Sequence, residues 1–110
     1  MANEPLTLLQ GTLDILVLRT LAAGPMHGYA ISRAIHDRTA GDLAVEYAPL
    51  YKALHRLARA KCVSAAWGAS ENARRARYYS LTARGRDRLA REEADWKRYA
   101  RAVARVLEPA

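Results

Sequence analysis

The sequence predicts a mainly α fold: a winged helix-turn-helix with a two-stranded wing and a long C-terminal dimerisation helix. Three observations lead there. Helical periodicity appears in three separate stretches before residue 61. Two alternating segments then flank a polar turn at 68–73, and a last helical stretch runs almost to Pro109. The chain has 110 residues, enough for one domain with one modest core.

Residues 1–11 are loosely patterned, with Pro5 and Gly11 as breakers. From Thr12 onward, Leu13, Leu16, Val17 and Leu21 share one helical face, and Ile15 and Leu18 broaden it. A face so wide belongs to a central, nearly enclosed helix, which Gly24-Pro25 ends. His27-Gly28 leads into a shorter second helix whose apolar content is Tyr29, Ala30, Ile31, Ala34 and Ile35. The turn cluster Thr39-Ala40-Gly41-Asp42 closes it. The third helix is expected from Pro49, in the first helical position where a missing N–H costs nothing, to about Ala60. Val63–Trp67 and Arg77–Leu81 read as the two strands of a hairpin. Thr82 is a good N-cap for the last helix.

Charge adds the second layer. The net charge is +7, from 18 Lys and Arg against 11 Asp and Glu. Residues 47–77 hold seven basic side chains and one acid, Glu71, while the rest of the chain is nearly balanced. A charge present only for solubility would be spread out, so this one points to an anionic partner. On the third helix, Leu50, Ala53, Leu54 and Leu57 share the face that must be buried. Lys52, Arg56 and Arg59 share the opposite face, with His55 beside them and Tyr51 on the flank. A rigid basic helix face of this size fits a major groove of double-stranded DNA. Arg74, Arg75 and Arg77 cluster at the expected wing tip, within reach of phosphates or a minor groove. A membrane surface fits less well, because the apolar face of the third helix is needed for the core.

Other classes find little support. The apolar run Ile15–Leu18, between Asp14 and Arg19, is far too short to cross a membrane, and no signal peptide is visible. The single cysteine, Cys62, cannot close an internal disulfide, which fits a cytoplasmic setting. It reads as a small apolar residue at a helix–strand junction, with no redox role. His27, His36 and His55 lack metal-ligand spacing, and Gly24, Gly28 and Gly41 are scattered turn residues rather than a phosphate loop. Asp14 and Asp37 have no carboxylate partner for acid–base work, and Ser64, Ser70 and Ser80 have no nucleophile context. No enzyme, metal or cofactor is expected.

Leu89, Trp96 and Val103 recur seven apart on the last helix, and Tyr99, Ala100, Val106 and Leu107 complete the stripe. So small a domain has little chain left to cover Trp96, and a symmetric homodimer is the economical cover. The alternative is that this helix folds back on the first one. The expected division is a DNA-binding unit over 1–82 and a dimerisation helix over 83–110.

Three stretches then resemble the PadR family of bacterial transcriptional regulators: Leu9–Leu18, Gly24–Tyr29 and Leu50–Leu57. Trp67-Gly68 and Glu71–Arg86 continue the match in order and spacing, so that it covers roughly residues 8–107. The lack of a further C-terminal domain is similar to the short PadR subfamily. The resemblance implies a winged-helix repressor that dimerises through its last helix and binds a pseudo-palindromic operator. It also implies backbone contacts by Tyr51 and by the wing arginines. Some members bind phenolic acids or flat aromatic drugs near the dimer interface, which makes Trp96 a candidate contact for a small aromatic effector. The chain departs from the pattern at Ala48-Pro49, Lys52, Ala58, Lys61 and Ala73. Loss of a hydroxyl near the start of the third helix removes a cap or phosphate contact. Loss of the usual glycine at Lys61 predicts a differently shaped helix end. Base preference and effector response do not carry over. A winged-helix module that binds an acidic protein is the competing reading.

Overall fold

The computed structural model describes residues 4–9, 11–69 and 74–110. Four helices and a small antiparallel sheet follow in the order α1 (Thr12–Leu21), β1 (Met26–His27), α2 (Gly28–Arg38), α3 (Tyr47–Arg59), β2 (Val63–Ala69), β3 (Arg75–Leu81) and α4 (Ala83–Leu107). This is the expected winged helix with its long last helix. The sheet is larger than the hairpin alone, because β1 joins its edge in the order β1-β3-β2. Two residues are too few to show alternation, so only the pairing of Met26 with Tyr79 and His27 with Tyr78 reveals the strand. The hairpin strands also run further than expected, taking in Gly68, Ala69, Arg75 and Ala76. The rest of the expected turn, 70–73, lies outside the described residues.

The core gathers Val17, Leu18 and Leu21 of α1, Ile31 and Ile35 of α2, and Leu50, Leu54 and Leu57 of α3. Val63, Tyr79 and Leu89 close it from the sheet and from α4. Ala53 is fully buried with its α3 neighbours, so the whole expected inner face of that helix is enclosed. Each such aliphatic side chain contributes roughly 1.5–3 kcal/mol on leaving water, which fixes the rotation of α3 about its axis.

α3 begins two residues earlier than expected, at Tyr47 after the cap residue Glu46. Leu50 N donates to Glu46 O at 3.2 Å and is the first intrahelical bond. Pro49 therefore stands third in the helix, still among the positions whose N–H would have no partner. The cap residue Glu46 makes no side-chain cap hydrogen bond, and Ala48-Pro49, where the hydroxyl is absent, lie within the helix.

The other end of α3 corrects an expectation. Cys62 N donates to Leu57 O at 2.9 Å and Lys61 N to Ala58 O at 3.0 Å, the paired bonds of a Schellman closure. Lys61 takes the left-handed conformation itself, at φ 61°. The helix end thus keeps the shape a glycine would give it, at a cost of about 1 kcal/mol in backbone strain.

Thr82 ties this end to α4. Its hydroxyl donates to Lys61 O at 2.7 Å and accepts from Gly85 N at 3.0 Å. Gly85 packs so closely that a Cβ there would lie 2.1 Å from Cys62 O. Cys62 itself is buried and belongs to the core.

Residues 4–9 run alongside the α2–α3 loop. Leu6 N donates to Asp42 O at 2.7 Å, and Leu6 forms an isolated parallel bridge with Leu43. No helix of the described residues is long and apolar enough to cross a membrane.

Candidate nucleic-acid interface

An open cleft of about 1130 Å³ separates the start of α2 and one side of α3 from the wing. Its walls include Gly28, Tyr29 and Arg33 from α2, Tyr51 and His55 from α3, and Trp67, Arg74, Arg75 and Arg77 from the wing. Strand alternation explains the wing's share. Val63, Ala65 and Trp67 lie opposite Leu81, Tyr79 and Arg77, so one sheet face is apolar at its base and basic at its tip.

At the tip, the guanidinium carbons of Arg75 and Arg77 sit 4.8 and 5.4 Å from the Trp67 ring centre. Both distances are within cation–π range. Trp67 is 57% exposed, so its ring acts as a platform for the two arginines rather than as a core residue.

The α2 end of the cleft is equally specific. His27 Nδ1 caps α2 by accepting from Ala30 N at 3.2 Å. Tyr51 lies across Gly28, where an added Cβ would meet its hydroxyl at 2.8 Å. The phenol therefore stands at the start of α2, where the partial positive charge of the helix favours anions. Tyr47 lies one turn before Tyr51, with ring centres 6.2 Å apart. Below them Tyr79 is buried, and that burial raises its phenol pKa above the ordinary value. Tyr51 adds to the rise and Arg77 opposes it.

The sequence-selected residues divide into two groups. Tyr51, His55, Arg74, Arg75 and Arg77 face the cleft together. Lys52, Arg56 and Arg59 are exposed on α3 outside that wall. Arg56 differs from the other two: its Nη2 donates to Asp14 Oδ1 of α1 at 2.8 Å. Among the described residues, Lys52, Arg59, Arg75 and Arg77 have no ion-pair partner. Asp14 is met by two arginines, Arg56 and Arg88. The charge count over 47–77 passed over Arg33, Tyr29 and Trp67. Arg33 lies outside that window, and the two aromatics carry no charge; the Trp67-Arg77 pairing is the signal that a hairpin register would have supplied.

A second groove, of about 590 Å³ and mostly apolar, runs between residues 6–9, α1 and α4 and reaches Trp96. Beyond it the α4 stripe is open: Trp96 is 41% exposed and Val106 83%, with Tyr99, Val103 and Leu107 exposed between and beside them. Leu89 departs from the expected stripe. It is buried in the chain's own core, one of the residues that pin the first half of α4 against the domain. Arg19 Nε approaches Glu93 Oε1 at 3.9 Å on the same side. The first half of α4 thus folds onto α1, and the second half projects from it.

A three-helix core, a hairpin wing with β1 at its edge, and a basic cleft between helix and wing define a winged-helix protein of the nucleic-acid-binding kind. The model of the Transcriptional regulator PadR-like family matches residues 17–91, and the chain belongs to that family of DNA-binding regulators. Its structure is similar to that of a PadR family transcriptional regulator from Eggerthella lenta, at 29% identity and a TM-score of 0.77, over 92% of this chain and 86% of the other. It is also similar to a transcriptional regulator from Clostridium thermocellum, with a TM-score of 0.82 over 90% of this chain and 96% of that one. That second likeness, at 24% identity, concerns the fold. A protein of Lysinibacillus sphaericus described only as uncharacterised is 28% identical over 89 residues, covering 81% of this chain and 82% of its own.

Proposed function

We propose that this chain is a homodimeric cytoplasmic repressor that binds a pseudo-palindromic operator in double-stranded DNA. The observation that carries this reading is the cleft between α3 and the wing, lined by Arg33, Tyr51, His55, Arg74, Arg75 and Arg77, with Lys52 and Arg59 exposed on α3 outside it. In this reading α3 enters the major groove with Lys52, His55, Arg56 and Arg59, while Tyr51 and the arginines 74, 75 and 77 hold phosphates on either side. Residues 1–82 do the binding and 83–110 supply the dimer. Trp96, Tyr99, Ala100, Val103, Val106 and Leu107 meet the same residues of a second copy, an arrangement that would cover the exposed stripe.

Two-fold symmetry puts the two α3 helices about one DNA turn apart, roughly 34 Å. Selection from a random DNA pool tests the reading. Inverted half-sites at about that spacing are expected. Micromolar or weaker binding without an enriched sequence would instead favour a winged-helix module that meets an acidic protein partner.

The apolar groove beside Trp96 supports a second element, release by a small aromatic effector. Titration of a Trp67→Phe variant with phenolic and planar aromatic compounds reads Trp96 fluorescence alone. Saturable quenching that also lowers DNA affinity is expected; quenching without any effect on DNA binding removes the effector from the mechanism.

A further inference from the structure

A partly buried carboxylate on a mostly apolar helix needs a reason, and Asp14 has an uncommon one. It stands in the first turn of α1 beside the partly buried Leu13, Ile15 and Leu16, and its own side chain is only 17% exposed. The positive end of α1 favours a carboxylate there, which explains its charge but not its contacts. Oδ1 accepts from Arg56 Nη2 of α3 at 2.8 Å, and Oδ2 accepts from Arg88 Nη2 of α4 at 3.4 Å. Arg88 is fastened in turn: its Nε donates to Glu92, and its Nη1 lies 3.9 Å from Cys62 Sγ. The Glu92 bond is the main reason the guanidinium of Arg88 holds its proton more tightly than usual, with burial opposing it. Three helices therefore meet at one carboxylate, and two arginines are balanced there by two acids.

The effect on Arg56 follows from its chemistry. A guanidinium offers five N–H donors in a rigid fork, and Asp14 occupies one of them. An arginine on a bare helix face swings freely and settles on the nearest phosphate, which serves every sequence alike. Held from behind, the same fork keeps one direction and suits the paired acceptors of a guanine edge. A carboxylate placed close to DNA also repels phosphate generally, which lowers binding to unrelated sequences.

We propose that Asp14 is a positioning residue for DNA recognition. From a seat fastened by Arg88, it aims the guanidinium of Arg56, so that the direction of Arg56 depends on how α4 lies on α1. This rests on the DNA-binding reading above and adds a specific claim to it: Asp14 favours discrimination at the expense of general affinity.

The test uses the full chain as wild type, Asp14→Asn, Arg56→Ala and the double variant, with the operator obtained by pool selection. Binding is measured to the operator, to single-base variants of it and to an unrelated duplex. Asp14→Asn is expected to lose about tenfold in discrimination at one position per half-site, the scale of one bidentate base contact. The same variant should bind the unrelated duplex several-fold more tightly, with a steeper salt dependence as Arg56 moves onto phosphate. Arg56→Ala should erase the preference at the same position, and the double variant should be no worse there. Unchanged discrimination and unchanged binding to the unrelated duplex would make Asp14 a structural tie and overturn the proposal. An effect that adds to that of Arg56→Ala would overturn it as well.

Should Asp14→Asn fail to fold, Asp14→Glu keeps the charge and moves the seat by one methylene. It must then alter preference at the Arg56 position, or the proposal falls. If Arg75→Ala/Arg77→Ala loses binding while the Asp14 variants match wild type, DNA binding stands and this inference does not. A wild type that binds no DNA removes both.

Discussion

Both α3 and the wing carry exposed arginines, and they hold them by different means. Behind α3 lie Leu50, Ala53, Leu54 and Leu57, all fully buried, so the direction of its outer face is set by the core. Among the described residues of the wing, burial is confined to its base, at Val63 and Tyr79. At its tip the arginines lean on an exposed indole ring. The single arginine of α3 with a partner, Arg56, leans on a carboxylate instead. A carboxylate fixes one guanidinium by a directed bond and cancels its charge. A ring accommodates two guanidinium groups with less angular demand and leaves both charges available to phosphate. On the proposed reading, the helix would read bases and the wing would hold phosphates.

The largest expected effect probes that contrast directly. Leu54→Ala should cost about 2–5 kcal/mol of stability, because the cavity opens in the core that orients α3. Trp67→Ala should leave the thermal midpoint almost unchanged. Comparable losses from both, followed by circular dichroism, would show that the wing tip is coupled to the core after all.

Trp67→Ala should act on DNA instead. Two exposed cation–π contacts contribute about 0.5–1 kcal/mol each, so fluorescence anisotropy should report affinity down several-fold on every sequence. Trp67→Phe should retain most of it. In an Arg75→Ala/Arg77→Ala background, Trp67→Ala should do nothing further; a continued loss would mean that the indole touches DNA itself.

A smaller gain is expected at the end of α3. Lys61→Gly should stabilise the fold by about 1 kcal/mol, since the left-handed residue would no longer carry a Cβ. A drop in the urea midpoint would show that the Lys61 side chain contributes more than its backbone costs.

The smallest effect lies at Tyr79, where core and wing join. Its folded pKa is raised, so its contribution to stability is complete below the unfolded value and is lost as pH rises through the folded one. Urea midpoints measured from pH 8 to above about pH 10 should fall less steeply in Tyr79→Phe than in wild type. Identical slopes would mean that burial of this phenol does not govern alkaline stability.

Much of the frame was legible in local pattern. The inner face of α3 shows in the spacing of Leu50, Leu54 and Leu57, and the N-cap of α4 shows in Thr82. The end of α3 was misread because glycine is the usual signal for a left-handed residue, and Lys61 adopts that conformation without it. β1 was invisible because two residues carry no period and exist as a strand only through their pairing with β3. Leu89 sat in a convincing seven-residue repeat with Trp96, yet the distance along α4 separates them. One falls inside the domain's core and the other beyond it.

The sequence by itself determined which faces are apolar and where the positive charge accumulates, because both follow from residue type and helical period alone. Tertiary structure decided what each charged group meets. Asp14 lies 42 residues from Arg56 and 74 from Arg88 along the chain, and only the packing of α1 against α3 and α4 brings the three together. Ion pairs act over a few ångströms of space, and no periodicity in one dimension records that distance.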